Sequence, residues 1–295
     1  MDNFLLETLE IGLLYSTISL SIVFLFRVVG FPDLTPDGSF ILGAAVSFYL
    51  SENGYSLILV YTGGMLSGML AGTITAYVHK KLNVSKLLSG ILVSLALYSI
   101  SLRILGSSNK YYEDNQNVYG NILGSESISG LLILMVTALL FFIAVFFYLQ
   151  TKQGLLIRAL GDSEDSFKYR GISTLTLTII GVSLGNGIAS LSGAIISQYQ
   201  GFVDISMGVG ITIGALTAMV IGESILRPYN VFLLLASPIL GSIIFQYILA
   251  TSLEVGLVPT DLKAVISIMT ILLLYLQFKS QKKNTSTRQI GNRSF

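Results

Sequence analysis

Ile128–Leu149 and Leu175–Ile196 are uncharged apolar stretches of about 22 residues each. At about 1.5 Å per residue, either one crosses the roughly 30 Å hydrocarbon core of a bilayer. Few folds are open to a chain built from such stretches. Lipid offers no water to backbone N–H and C=O groups, so a spanning segment must be a helix or part of a closed barrel. The runs lack period-2 alternation, which argues against the barrel. Nine runs can be marked: Leu5–Val28, Pro36–Leu50, Ser56–Tyr77, Leu87–Leu105, Ile128–Leu149, Leu175–Ser197, Met207–Gly222, Tyr229–Leu249 and Leu262–Phe278. The second is the short one, uncharged only over Ser39–Ser51 and closer to a re-entrant piece than to a full span. Only 11% of the 295 residues are charged, where a soluble domain carries about 25%. The expected class is therefore an all-α polytopic membrane protein with no separate soluble domain.

Lysine and arginine set the expected orientation. With nine crossings and the 150–174 loop in the cytoplasm, cytoplasmic segments hold Lys80, Lys81, Lys86, Lys152, Arg158, Lys168, Arg170, Arg227, Lys279, Lys282, Lys283, Arg288 and Arg293. External loops hold only Lys110 and Lys263, with Arg27 and Arg103 near helix ends. The N-terminus is then external and the C-terminus cytoplasmic. The opening M-D-N-F-L-L-E-T-L-E has no positive region before the first apolar run, so that run is expected to remain as a span.

An internal repeat supports the same layout. Thr17–Val46 aligns on Ile188–Thr217 without gaps. Ser19-Leu20-Ser21 meets Ser190-Leu191-Ser192, Gly30-Phe31 meets Gly201-Phe202, Asp33 meets Asp204, and Gly43-Ala44 meets Gly214-Ala215. Five crossings separate the copies, an odd number, so the two are inverted relative to each other. In each copy a polar elbow precedes a helix. Thr35-Pro36-Asp37 reads as a helix start with a capping hydroxyl, proline in the first turn and an acid at the positive end of the dipole; Ser206 takes the cap position in the second copy.

The chemistry is sparse. No G-x-x-x-x-G-K-[ST] loop is present. One histidine and no cysteine leave little for a metal, and His79 beside Lys80-Lys81 reads as a solvated interface residue. No catalytic residues, cofactor-binding or metal sites are assigned, and a net charge of +1 does not point to nucleic acid. Asp33, Asp37 and Asp204, with Thr35 and Ser206, either hold helix ends or stand at the rims of a permeation path as a gate. Gly64, Gly68 and Gly72 form a helix-packing stripe, a theme repeated by Gly181/Gly185 and by Gly210 and Gly214.

The longest charged island between the oily halves is Gln153–Thr174, reading Q-G-L-L-I-R-A-L-G-D-S-E-D-S-F-K-Y-R-G-I-S-T. Ser163 is a candidate N-cap for a short helix with Glu164 and Asp165 in its first turn. Gly154-x3-Arg158-Ala159-x-Gly161-x9-Gly171-Ile172 resembles the cytoplasmic coupling motif of ATP-binding-cassette importer permeases of the branched-chain amino acid and ribose type. Ser166-Phe167 departs from the paired alanines of that motif. Asp33-Leu34-Thr35-Pro36-Asp37-Gly38-Ser39 is similar to the D-L-S-x-G-S element of the sugar-type members, with one residue inserted. Phe31–Ala45 and Lys86–Gly106 look closest to a branch paired with binding proteins for aromatic amino acids such as tryptophan or tyrosine.

That resemblance implies a single permease domain over 1–278, with repeat halves at about 5–105 and 175–278, a linking helix at 128–149, a coupling loop at 150–174 and a basic cytoplasmic tail at 279–295. It implies a homodimer in a bacterial inner membrane, with two copies of a separate ATPase beneath it and an external lipoprotein delivering the solute. ATP and magnesium would be held by the ATPase and not by this chain. The residues implied in coupling are Arg158, Ala159, Gly161, Asp162, Ser163, Glu164, Asp165, Ser166, Phe167, Lys168, Tyr169 and Gly171. An ion-coupled secondary transporter would share the inverted repeats, but should place charges at the bilayer midplane.

Overall fold

The computed structural model describes residues 2–113, 127–169, 173–258, 261–262 and 264–275. Helix α1 (Asp2–Val23) runs on into one π-helical turn, Phe24–Val28, and Val29 N–H donates to the Phe24 carbonyl at 2.9 Å. A first elbow at Gly30 leads into α2 (Thr35–Glu52), followed by α3 (Leu57–Leu82), α4 (Lys86–Leu105) and the short strand β1 (Asn109–Tyr111). After α5 (Ser127–Gln150) come two short helices, α6 (Lys152–Asp162) and α7 (Glu164–Tyr169). Helix α8 (Leu175–Gln200) ends at a second elbow containing β2 (Phe202–Asp204) and a 3-10 turn, Ile205–Gly208. Then follow α9 (Ile211–Leu226), α10 (Val231–Glu254) and α11 (Ala264–Tyr275).

Among the described residues, seven helices are long and apolar enough to cross a membrane. The chain is an all-α polytopic membrane protein. The two apolar runs outside those seven are α2, 18 residues with Asp37 and Glu52 at its ends, and α11, described over Ala264–Tyr275. The tail from Lys279 lies outside the described residues.

The repeat is written in the backbone. Gly30 and Gly201, equivalent in the two copies, take φ of +64° and +75°, a region open to residues without a Cβ. Asp33 Oδ1 accepts the Thr35 N–H at 2.8 Å, and Asp204 Oδ1 accepts the Ser206 N–H at 2.6 Å. Packing partners mirror as well: α1 lies against α8, α9 and α10, while α8 lies against α1, α2 and α3. Since α10 belongs to the second copy and α3 to the first, each half is completed by a helix of the other. The paired α1 and α8 form the buried centre, while α3, α4 and α5 face outward.

Two expectations are corrected at the elbows. The capping groups are the carboxylates of Asp33 and Asp204, two residues earlier than Thr35 and Ser206. Thr35 is already the first helical residue, and Ser206 lies inside the 3-10 turn. Gly210 is not a close-approach glycine: a Cβ there would face open space, and its φ of +83° is what glycine supplies. Close helix approach is real elsewhere. A Cβ on Gly43 would overlap the Ser190 carbonyl, and one on Gly193 the Phe40 carbonyl, at the α2–α8 crossing. Gly68 and Gly72 meet Ser190 and Val182 of α8 with no room for a methyl, and a Cβ on Gly64 would stand 3.3 Å from Ala194. Ser190 Oγ seals this seam by donating to the Gly64 carbonyl at 2.6 Å. Such seams suit a membrane helix, where packing and hydrogen bonds replace the hydrophobic drive between helices. A Cβ on Gly214 would stand 3.5 Å from the Phe245 ring, an ordinary contact.

Candidate functional site

Helix α6 begins at a Thr151 cap, whose Oγ1 accepts the Gly154 N–H at 3.2 Å. Its residues Gly154, Ile157 and Leu160 are buried, one turn apart, so a single face is seated on the bundle. Gly161 continues that face. A Cβ on Gly161 would overlap the Val28 carbonyl, and one on Gly30 would stand 2.9 Å from the Gly161 carbonyl. The helix therefore touches the π-helical turn and the first elbow backbone to backbone. Its other face carries Leu155 and Leu156, 51% and 45% exposed, beside exposed Ala159.

Ser163 caps α7 as read from the sequence: its Oγ accepts the Ser166 N–H at 3.4 Å, and the two hydroxyls lie 2.7 Å apart. Glu164 turns inward to pair with Lys80 at the end of α3, and Lys80 also reaches Thr174 Oγ1 at 3.3 Å. Asp162, Ser163, Asp165, Ser166 and Tyr169 are exposed and Phe167 is half-buried. Lys168 belongs to α7, while Arg170 and Gly171 lie outside the described residues. Arg158 lines a cleft of about 220 Å³ together with Arg27, Asp162 and Tyr229. Arg27, on the π-helical turn, donates to both carboxylate oxygens of Glu223 at 2.8 and 2.6 Å. Lys80, Arg158 and Arg27 thus gather at the end of the bundle where α6 lies.

The first elbow is anchored deeper. The Asp33 carboxylate is fully buried and accepts from Thr35 N–H at 2.8 Å, Thr35 Oγ1 at 2.6 Å and Asn186 Nδ2 at 3.0 Å. Thr35 Oγ1 also meets Thr75 Oγ1 of α3 at 2.8 Å, and Ser39 Oγ donates to Asn186 Oδ1 at 2.8 Å. Gly90 of α4 closes the node, since a Cβ there would overlap Asp33 Oδ1. Thr75 lies seven residues before the end of α3 and Gly90 four after the start of α4. At about 1.5 Å per residue, this places the node roughly 6–10 Å inside the bundle. A buried carboxylate is tolerable there because amide and hydroxyl donors and the positive end of α2 face it.

Asp37 holds the other copy. Its two oxygens accept the Gly210 N–H at 3.1 Å and the Thr212 N–H at 2.8 Å, so α2 caps the start of α9. At the opposite end of the bundle β1 pairs antiparallel with β2, and half-exposed Asp204 caps the turn after it. The geometry thus gives Asp33, Asp37 and Asp204 the helix-end role. Among the described residues no His, Cys, Asp or Glu group could hold a metal. Asn186 was not singled out from the sequence. Its signal is a carboxamide set between Gly185 and Gly187 inside an otherwise apolar run, a group that must find a partner in the protein.

A family model described as branched-chain amino acid transport system / permease component matches residues 4–275. The chain is 30% identical over 263 residues to a tyrosine transport system permease protein of Clostridioides difficile, covering 89% of this chain and 88% of that one. It is 27% identical over 288 residues to an uncharacterized protein of Rickettsia prowazekii, covering 95% and 99%. An autoinducer 2 import system permease protein of Escherichia coli is 26% identical over 178 residues, 59% of this chain and 50% of that one. No solved structure matches the chain.

Proposed function

Because the chain belongs to the family of permease components of branched-chain amino acid transport systems, we propose that it is the membrane subunit of an ATP-driven importer. It passes a small solute from an external binding protein to the cytoplasm. A separate ATPase pair, holding ATP and magnesium, docks on α6 and α7 and supplies the work. Two copies of the chain enclose the path, with the N-terminus outside and the α6 end in the cytoplasm. No catalytic role falls to this chain.

One observation carries the reading: α6 is seated by its buried face on the first elbow through Gly161 and Gly30, while Leu155, Leu156 and Ala159 of its other face are exposed. A partner that moves α6 moves the elbow, and the elbow carries α2 and its contacts to α8. The ligand-biased element is then a packed helix unit with two seats. Asp33, Thr35, Asp37, Asp204 and Ser206 brace the two elbows beside the path. The likeness to a tyrosine transport permease supports an amino acid, aromatic or other, as the solute.

Copurification of an ATPase with the wild-type chain is the first test. Asp165→Lys, on the exposed face of α7, should lower solute uptake while leaving the two-copy assembly intact. Unchanged uptake counts against the docking assignment, and uptake driven by an ion gradient without ATP defeats the importer reading. Thermal shifts of the system's binding protein with a panel of amino acids would identify the solute.

A further inference from the structure

Each elbow is gripped by an element from a neighbouring loop. At the first elbow that element is α6. At the second it is β1, with Asn109 opposite Asp204, Lys110 opposite Val203 and Tyr111 opposite Phe202. Tyr112 N–H donates to the Gly201 carbonyl at 2.9 Å and Ile205 N–H to the Ser108 carbonyl at 3.0 Å, so the strand holds the elbow on both sides of its bend. The Tyr112 side chain anchors the strand. It is buried edge-on against Phe48 with ring centroids 4.9 Å apart, and its hydroxyl lies 3.3 Å from Ser47 Oγ and 3.2 Å from Ser197 Oγ.

Strand alternation then turns Tyr111 outward. It is 70% exposed and rests on Phe202 at 6.1 Å. By the same alternation exposed Glu113 and half-exposed Asp204, which stands opposite Asn109, share its face, while Lys110, the one basic group on the strand, leans toward Phe48 and Glu52, 3.8 Å from the latter. An aromatic side chain held on a rigid strand inside an acidic rim has the make-up of an interface anchor for a basic surface.

We propose that β1, centred on Tyr111, is the docking point for the external solute-delivering protein and hands that contact to α9 through the second elbow. This rests on the importer reading and makes β1 the outer counterpart of α6. The docking face of the partner is basic. Lys110 weakens the contact, and the strand and elbow travel as one body.

The experiment uses the full transporter in nanodiscs with the solute-binding protein of the same system. Stimulation of wild-type ATP hydrolysis by that protein is the mark of an importer; if there is none, both readings fall. With stimulation in hand, Tyr111→Ala should weaken binding about tenfold and leave basal hydrolysis unchanged. Lys110→Glu should tighten binding a few-fold, more so at low salt. Unchanged affinity in both variants overturns the proposal, as does quenching of a fluorescent label at position 111 by brominated lipid, which would make Tyr111 a membrane-interface anchor. Asn109 and Asp204 form a non-hydrogen-bonded antiparallel pair, with Cα atoms about 4.5 Å apart, within disulfide reach, and the chain has no cysteine of its own. Asn109→Cys with Asp204→Cys should therefore be stimulated equally when oxidised and when reduced. Inhibition relieved by reductant would mean that strand and elbow separate during the cycle, and the proposal would fail.

Discussion

Adding one methyl group at Gly161 tests the contact on which coupling depends. A Cβ at that position overlaps the Val28 carbonyl oxygen and stands 3.1 Å from both the Val28 and Val29 carbonyl carbons. All three are backbone atoms, so no side chain can swing aside to relieve the overlap. Restoring an ordinary separation of about 3.5 Å or slightly less between non-bonded heavy atoms requires α6 to lift by roughly 1 Å. Overpacking of this kind costs about 1–3 kcal/mol, and about 1.4 kcal/mol is a tenfold change in an equilibrium. The seated position of α6 should therefore lose about fivefold to a hundredfold in population relative to a lifted one. Buried Gly154, Ile157 and Leu160 keep the helix near the bundle, so assembly with the ATPase should survive. In proteoliposomes containing the Gly161→Ala transporter, hydrolysis should persist while solute moved per ATP falls about tenfold. Size-exclusion chromatography should show an unchanged complex. Full uptake by an intact Gly161→Ala complex would refute the argument that the stroke passes through this contact.

Three further outcomes follow from the packing. Gly43→Ala drives a methyl into the Ser190 carbonyl at the α2–α8 crossing; it should lower stability by about 1–3 kcal/mol, read as an earlier thermal melt in detergent. Asp33→Asn keeps an oxygen to accept from Thr35 but turns an amide donor on the Asn186 Nδ2 donor, and should cost about 1.5–3 kcal/mol. Adding Asn186→Asp should recover part of that loss, and an additive double variant would deny the pairing. Asp37→Ala uncaps α9 from a distance, costing about 0.5–2 kcal/mol; faster hydrogen exchange at the Gly210 and Thr212 amides, with α2 amides unaffected, is the expected signature.

What could be read from the chain depends on the range of the interaction. The apolar runs became helices because each satisfies its own backbone and needs no distant partner. Pro36–Leu50 became Thr35–Glu52, and Ser56–Tyr77 became Leu57–Leu82, a turn longer through His79, Lys80 and Lys81. The repeat was legible because both copies need glycine at one bend and an acid three residues on. Asp37 was seen as serving its own helix end, whereas its oxygens cap a helix more than 170 positions away, a pairing that local pattern does not encode. Glu164 was grouped with Asp165 among the coupling residues because nothing nearby in sequence announces Lys80. Strand β1 was hidden for the same reason: three residues of a polar loop become a strand only because β2 stands beside them.

The exchange of helices between the halves has a consequence for how the protein is made. Until residue 186 leaves the ribosome, the Asp33 carboxylate lacks the carboxamide it will bind, and the Gly64–Gly72 groove stands open to lipid. The first four helices are therefore inserted early and finished late. A truncated product ending before α8 is an unfinished wall with a charge showing, which is the kind of lesion membrane proteases remove.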